Sequence, residues 1–416
     1  MTPKRLPRSA RAADWCAAGV RYGTRGAGEP PRWERCIDHR GDSISGFTAQ
    51  HFGEANRRVL LVGGAGFDPR TLTVARLLTS TLGDRLEGLF IRERRSSPDR
   101  ALLARADEHA AELLRLVPNA RMADVAVFEA DGAVGLGRRV VELLRDLDIS
   151  PYTDIIIDFS ALSIGSSFPL TRLLLGRLEA EDTGAHETTE TETTPRGDGR
   201  INLHAMVTAR TTTDHRILPS PSAVVGPVHG FQGRFGLDET ARAAKMWIPQ
   251  LRFEQQGILG RLYDYLQPDD VVPVLPFPAH DPRLSDRLVE HYATEFEDRW
   301  SVDARSIVYA DETSPLDFYR TVLRIDDGRH PVFASTGGSL LILSPMGSKV
   351  LALGAMMAAT ERDLPVMYVE ALAYSADLLD DDREGYSSSD MVHVWLFGEA
   401  YPRAATNSPD SGGGAG

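Results

Sequence analysis

The chain has 416 residues, 42% hydrophobic and 25% charged, with a formal net charge of -13; this length exceeds one simple core and suggests two domains, or three. The composition is that of an ordinary globular protein, and its acidic balance excludes an extended nucleic-acid surface, which needs clustered cations, while leaving room for a small anion pocket. The longest apolar runs, such as Val59 to Val62 and Ile155 to Ile157, are far short of a membrane span, and the basic start MTPKRLPRSARAADW has no apolar stretch behind it, so neither a membrane segment nor a signal peptide is expected and a cytoplasmic location is inferred.

In chain order, residues 1 to about 12 read as a basic flexible tail, and the rest of residues 1–56 shows no regular pattern beyond Trp15, Trp33, Phe47 and Phe52 as anchors onto the adjoining domain. Cys16 and Cys36 lack any paired-ligand spacing, so no disulfide or zinc site is expected. At Arg57 the pattern changes. RRVLLVGGAGFDPRTLTVARLLTSTL predicts a strand, a glycine-rich loop and a helix. LEGLFIRER predicts a second strand, PDRALLARADEHAAELLRLV a helix, ADVAVFEA a strand, GLGRRVVELLRDL a helix, TDIIIDFSALSIG a strand and SSFPLTRLLLGRL a helix. Strands alternating with helices of this length imply a parallel sheet covered on both faces, an α/β fold of Rossmann-like type.

The acidic, Thr-rich stretch 179–199 has no apolar face and is expected to be a disordered loop inside a first domain of residues 57–240. RINLHAMVTART returns as a strand, and the Pro- and Gly-dense ILPSPSAVVGPVHGFQGRFGLDE reads as a connector. A second Rossmann-like domain, 241–402, repeats the plan through WIPQLRFEQQGILGRLYDYLQ, DVVPVLPFPAHDPRLSDRLVEHYATEF, ARSIVYADE, SPLDFYRTVLRIDD and SLLILSPMGSKVLALGAMMAATERD, and closes with the strand PVMYVEALAY. Residues 403–416 read as a disordered tail.

The two domains echo each other. VLLVGGAGFDPR and VPVLPFPAHDPR each run a strand into a loop ending Asp-Pro-Arg, and IIIDFSALSIG and LLILSPMGSK each run a strand into Ser160 or Ser344. Internal duplication is one reading; the other is that any α/β protein repeats strand, loop and helix, with Asp-Pro as a common helix start.

Glycines at a strand end let backbone approach a ligand, and the following helix N-terminus offers amide hydrogens and partial positive charge to an anion. Gly64, Gly66, Asp68 and Arg70 hold that position in the first domain, although Pro69 occupies the third glycine place of a dinucleotide fingerprint. Ser344, Gly347, Ser348 and Lys349 hold it in the second, and Ser348 breaks any Walker A reading. The chain has only three lysines, Lys4, Lys245 and Lys349, in a Lys plus Arg total of 46. A cation at a helix start opposes the dipole, so Lys349 implies a bound anion; a solvent-facing lysine is the bland alternative. His204, His215, His229, His280 and His291 show no zinc spacing and are read as structural, Gly41-Asp42-Ser43 has no strand before it to serve as an esterase nucleophile loop, and no Gly-x-Ser-x-Gly elbow occurs.

Thr336-Gly337-Gly338 together with SLLILSPMGSKVLALGAMMAA resembles the Gly-Thr-Lys type motif of CRISPR-associated Rossmann-fold (CARF) sensors and their SAVED relatives. The resemblance implies binding of an oligonucleotide second messenger, with Ser348 and Lys349 as polar and cationic contacts, Gly347 giving close approach, and a bacterial antiviral defence role. The chain departs from the family in having no recognisable C-terminal effector domain and an extra Asp-Pro-Arg in each half. Three functions are therefore expected in order: a cytoplasmic sensor of a phosphate-bearing nucleotide working with an effector partner, a phosphodiesterase or nuclease acting on that nucleotide, and a ligand-free interaction scaffold. The ligand site is expected at the carboxyl ends of the strands, where Gly64, Gly66, Asp68, Arg70, Ser160, Asp281, Arg283, Ser344, Gly347, Ser348 and Lys349 would converge, with no metal and no identified cofactor.

Overall fold

The computed structural model describes residues 30–184, 199–209, 211–236, 242–376 and 388–402. Residues 1–29, most of the acidic stretch and the tail 403–416, with Trp15 and Cys16, lie outside the described residues. In the first part of the chain the elements are β1 (Asp38–Arg40), α1 (Ser43–Phe47), β2 (Val59–Gly64), α2 (Thr73–Leu82), β3 (Leu86–Arg94), α3 (Arg100–Leu116), β4 (Ala120–Ala126), α4 (Leu136–Arg145), β5 (Asp154–Asp158), α5 (Ile164–Gly184) and β6 (Asn202–Thr208). Next come α6 (Thr211–Arg216), β7 (Ile217–Pro227), β8 (Ala244–Pro249), α7 (Gln256–Leu266), β9 (Asp270–Val271), β10 (Val274–Pro276), α8 (Leu284–His291), β11 (Val308–Ala310), α9 (Pro315–Phe333), β12 (Ser339–Ser344), α10 (Lys349–Arg362), β13 (Met367–Ala376) and β14 (Met391–Phe397).

The expected α/β architecture is present. The first sheet runs β1-β14-β6-β5-β2-β3-β4, with its five strands β2 to β6 parallel, β14 antiparallel to β6, and β1 antiparallel to β14 at the edge. Every residue of β2 and β5 is buried, as continuous apolar runs in a doubly covered parallel sheet must be. Alternation sorts them: Val59, Leu61 and Ile156 pack with Leu78 of α2 and Leu113 of α3, whereas Leu60, Val62, Ile155 and Ile157 pack with Val140 of α4 and Leu174 of α5.

A second parallel sheet joins β12, β8 and β9; single bridges extend it, Gln250–Val274 to the parallel pair β10 and β11, and Leu343–Val366 toward β13. With β9 and β10, which lie in succession along the same side of β8, counted as one interrupted strand, the strands of each sheet lie third, second, first, fourth, fifth along the chain. The agreement concerns order: β9 to β11 are short, and among the described residues β1 and β14 have no counterpart in the second sheet. Both sheets face one continuous core in which α10 is buried almost throughout, the all-round apolar pattern of an interior helix. Gly354 makes that packing close, since a Cβ there would lie 2.3 Å from the Pro315 carbonyl oxygen of α9.

Three elements differ from the sequence reading. The Pro-rich connector contains β7, an eleven-residue strand paired antiparallel with β13; two-stranded pairing with register shifts tolerates Pro219 and Pro221, which a central strand would not. α5 continues to Gly184, into the stretch expected to be loop. β14 adds a strand beyond PVMYVEALAY, its apolar run interrupted by His393 and Trp395, which are buried with their nitrogens bonded. In the unpatterned N-terminal segment, Trp33 and Phe52 are fully buried, and Trp33 Nε1 donates to Leu396 O at 2.8 Å.

Candidate ligand site

The loop after β2 is shaped by its glycines and by Asp68. At Gly64 a Cβ would come 2.8 Å from the Ala161 carbonyl carbon, so the ends of β2 and β5 meet as only glycine allows. Asp68 caps the turn Pro69–Leu72 by accepting from Arg70 N at 3.0 Å, and the Arg70 side chain forks back onto the same carboxylate at 2.9 and 2.7 Å. Arg70, 1% exposed, also lies 2.8 Å from Asp214. Burial opposes ionisation of Asp68, but Arg70 outweighs it and holds the carboxyl below its usual range. Beside them Asp158 accepts from Ser160 N at 2.8 Å, and burial pushes its carboxyl up to about 6.

In the loop after β12, Gly347 packs so tightly on Gln250 that a Cβ would lie 3.0 Å from the glutamine Cβ. Ser348 caps α10 by accepting from Leu351 N at 3.2 Å, and Lys349 is the first helical residue. Its ammonium donates to the Leu162 carbonyl after β5, and among the described residues no carboxylate lies within ion-pair distance of it. Burial, then the neighbouring Arg70, lowers its pKa; Asp68, Asp214 and Glu93 act in the opposite direction.

These two loops line one cavity of about 330 Å³, with Gly66, Asp68 and Arg70 on one side and Gly347, Ser348 and Lys349 on the other. Each loop leaves the point where the strand order of its sheet reverses, between β2 and β5 and between β8 and β12, the usual place for a ligand crevice in open α/β sheets. A further wall combines the ends of β3 and β13. Arg95 bridges Glu93 at 3.4 Å and Glu370 at 2.9 Å, and its guanidinium lies 4.8 Å from the Tyr374 ring centroid. Burial opposes both carboxylates. Arg95, Ser166 Oγ and the Ser163 N–H hold Glu93 low all the same, whereas at Glu370 burial prevails and the pKa rises. Gly165 leaves space here, because a Cβ would come 2.9 Å from Glu370 Oε2. Both amide atoms of Gln250, which packs on Gly347 and lines a smaller adjoining pocket, and the Oε1 of Gln255, which lines the cavity, are buried without a hydrogen-bond partner.

No protein-family model matches this chain, and no curated protein matches it. The site therefore rests on its own geometry.

Of the residues expected from sequence, Gly66, Asp68, Arg70, Gly347, Ser348 and Lys349 line the cavity. Gly64 sets strand approach behind it. Ser160 and Ser344 are fully buried ties: Ser160 Oγ accepts from Thr208 N at 2.9 Å, and Ser344 Oγ accepts from Trp247 Nε1 at 2.9 Å while donating to Met367 O at 2.8 Å. Asp281 and Arg283 lie outside the cavity at the start of α8, where Asp281 accepts from Arg283 N at 3.0 Å and pairs with Arg287. Arg70 is held between two carboxylates, so its guanidinium is committed to Asp68 and Asp214 rather than to a ligand. Sequence reasoning passed over Glu93, Arg95, Asp214, Gln250, Gln255 and Glu370. The available signals were charged residues inside strands, Glu93 in LEGLFIRER and Glu370 in MYVEALAY, where a parallel or ribbon strand otherwise wants apolar side chains.

Proposed function

We propose that this chain is a sensor that binds a phosphate-bearing small molecule of nucleotide class in the cavity between its two sheets. The carrying observation is the meeting of both strand-end loops on one cavity with the Lys349 ammonium between them, free of any ion pair among the described residues. A cavity near 330 Å³ falls at the lower end of small-ligand sites. The amide hydrogens at the start of α10 and a lysine lacking a counterion supply charge-assisted donors to one anionic group, and a desolvated site strengthens them. Asp68 and Asp214 hold Arg70 in place, so its role is to fix the loop and to raise the local potential beside Lys349. The resemblance to CARF and SAVED sensors agrees with this reading and adds an effector partner and a defence role to the proposal.

Thermal unfolding across a panel of mono-, di- and cyclic oligonucleotides tests it. A ligand at a hundred times its dissociation constant stabilises by about 2.7 kcal/mol, so a raised melting temperature with at least one nucleotide is expected, and a flat response across the panel contradicts the proposal.

A second reading, turnover of the bound molecule, is favoured by Glu93 and Glu370. Two neighbouring carboxyls whose pKa values are driven apart are the pattern of an acid and base pair. Chromatography of the stabilising nucleotide after incubation separates the readings: recovery intact supports a sensor, and conversion that Glu370→Gln abolishes supports an enzyme.

A further inference from the structure

At the opposite end of the first sheet from the cavity, the amino ends of β5 and β6 carry a second cluster. His51 Nε2 lies 2.9 Å and His204 Nε2 3.1 Å from Asp154 Oδ1, and the three ligand atoms all fall within 4.8 Å of one another. Asp154 and His204 are fully buried and His51 is 9% exposed. These residues are far apart in sequence, so no local spacing announces them. We propose that His51 Nε2, His204 Nε2 and Asp154 Oδ1 form a binding site for one divalent first-row cation of the zinc type.

Imidazole and carboxylate suit such ions, and three protein ligands leave the fourth tetrahedral position to water. Tetrahedral coordination at zinc–ligand distances of about 2.0–2.1 Å separates ligand atoms by about 3.3 Å, a few tenths more than the 2.9 and 3.1 Å contacts here. The surrounding groups are in place to orient the ligands. Thr153 Oγ1 donates to Asp154 Oδ2 at 2.6 Å, and Asn202 Nδ2 donates to Oδ1 at 3.0 Å, using one of its two lone pairs and leaving the other for the ion. Arg57, 3.7 Å from Asp154 Oδ2, opposes a cation, but it is itself paired with Glu399 at 2.8 Å, and Glu399 lies 3.8 Å from His51 Nδ1.

Behind His204 runs a chain of imidazoles: His204 Nδ1 to His393 Nε2 at 3.0 Å, then His393 Nδ1 to His39 Nδ1 at 3.0 Å. Without metal, His204 Nε2–H donates to Asp154, so His393 Nε2–H donates to His204 and His39 Nδ1–H to His393. Metal on His204 Nε2 reverses every bond in the chain. Nδ1 of His204 then carries hydrogen and donates outward, and each imidazole stays neutral. The chain therefore accommodates both states without burying an unpaired charge.

The test uses the full chain stripped by chelator and titrated with Zn²⁺ by calorimetry and with Co²⁺ by visible absorption. One ion per chain, a strong cobalt visible band and a higher melting temperature are expected, with affinity falling more than about tenfold in Asp154→Asn and in His51→Gln. Absence of saturable binding, or binding that survives both substitutions, overturns the proposal and leaves the cluster a hydrogen-bonded network. Nitrogen-15 NMR of the unsubstituted protein gives a reading independent of variant folding. The His204 ring hydrogen moves from Nε2 to Nδ1 on adding Zn²⁺ if the site binds, and an unchanged tautomer contradicts it.

Discussion

Asp158 shows how a side chain can cost stability at a site without touching the cavity. Its carboxyl is raised to about 6 by burial, so in this group the folded state binds the proton more tightly than the unfolded chain. Its stabilising contribution is complete below the unfolded value near 4 and is lost as pH rises through about 6. Asp158→Asn keeps the acceptor for Ser160 N and is expected to be more stable than the native chain at pH 8 by on the order of 3 kcal/mol, at roughly 1.4 kcal/mol per pKa unit. Denaturant titrations at pH 8 and pH 5 check this: the advantage must shrink at the lower pH. Asp68 behaves in the opposite sense, since Arg70 holds it ionised. Asp68→Asn strips one carboxylate from a buried guanidinium and is expected to destabilise by about 3–5 kcal/mol, read from the same titrations. Lys349 is a third case. Its ammonium is half-buried beside Arg70 with one backbone acceptor, so Lys349→Met is expected to melt at an equal or higher temperature than the native chain while losing ligand-induced stabilisation. A large drop in stability of the unliganded variant would make Lys349 a structural residue.

At the scale of elements, α10 joins the fold to the site: its first residue faces the cavity and its remainder fills the core between the sheets. Gly354 sits where α9 and α10 touch, and Gly354→Val is expected to destabilise by about 1–3 kcal/mol through overpacking, with ligand affinity per folded molecule unchanged; circular dichroism melts and binding to the same preparation measure both. The alternation of β-branched runs with amphipathic helices made β2, β3, β5, β6, β8 and β12 legible, because a doubly covered parallel strand has little choice but to be apolar. The glycine and lysine loops were legible for a related reason, since strand-end loops preceding helices have few backbone solutions. Harder to read were β7, whose prolines fit only a two-stranded ribbon, and β14, whose His393 and Trp395 find partners from β6, β1 and their own strand. Glu93, Arg95 and Glu370 escaped because their meaning lies in a three-way contact between β3 and β13, which one strand read alone does not contain. The lysine loop and Asp-Pro-Arg looked equivalent in sequence, yet only the first copy of Asp-Pro-Arg turns into the cavity; the second starts α8, which packs Leu284 and Leu288 into the core of the second sheet away from it.

For the whole molecule, the shared apolar core has a consequence for cooperativity. Leu60 and Ile157 of the first sheet belong to the same buried cluster as Ile248, Leu343 and Met356 of the second part, and β14 returns from the far end of the chain to complete the first sheet. One calorimetric unfolding transition is expected, and two resolved transitions would show that the sheets are stabilised separately. The central claim, that both strand-end loops serve one ligand through Lys349, is tested most directly by measuring equilibrium binding of the stabilising nucleotide to the native chain, Lys349→Ala and Arg283→Ala. Arg283 was equally attractive in sequence but lies outside the cavity. At least a tenfold loss of affinity is expected for Lys349→Ala, which corresponds to about 1.4 kcal/mol, with an unchanged isotherm for Arg283→Ala. Undiminished binding by Lys349→Ala would contradict the claim.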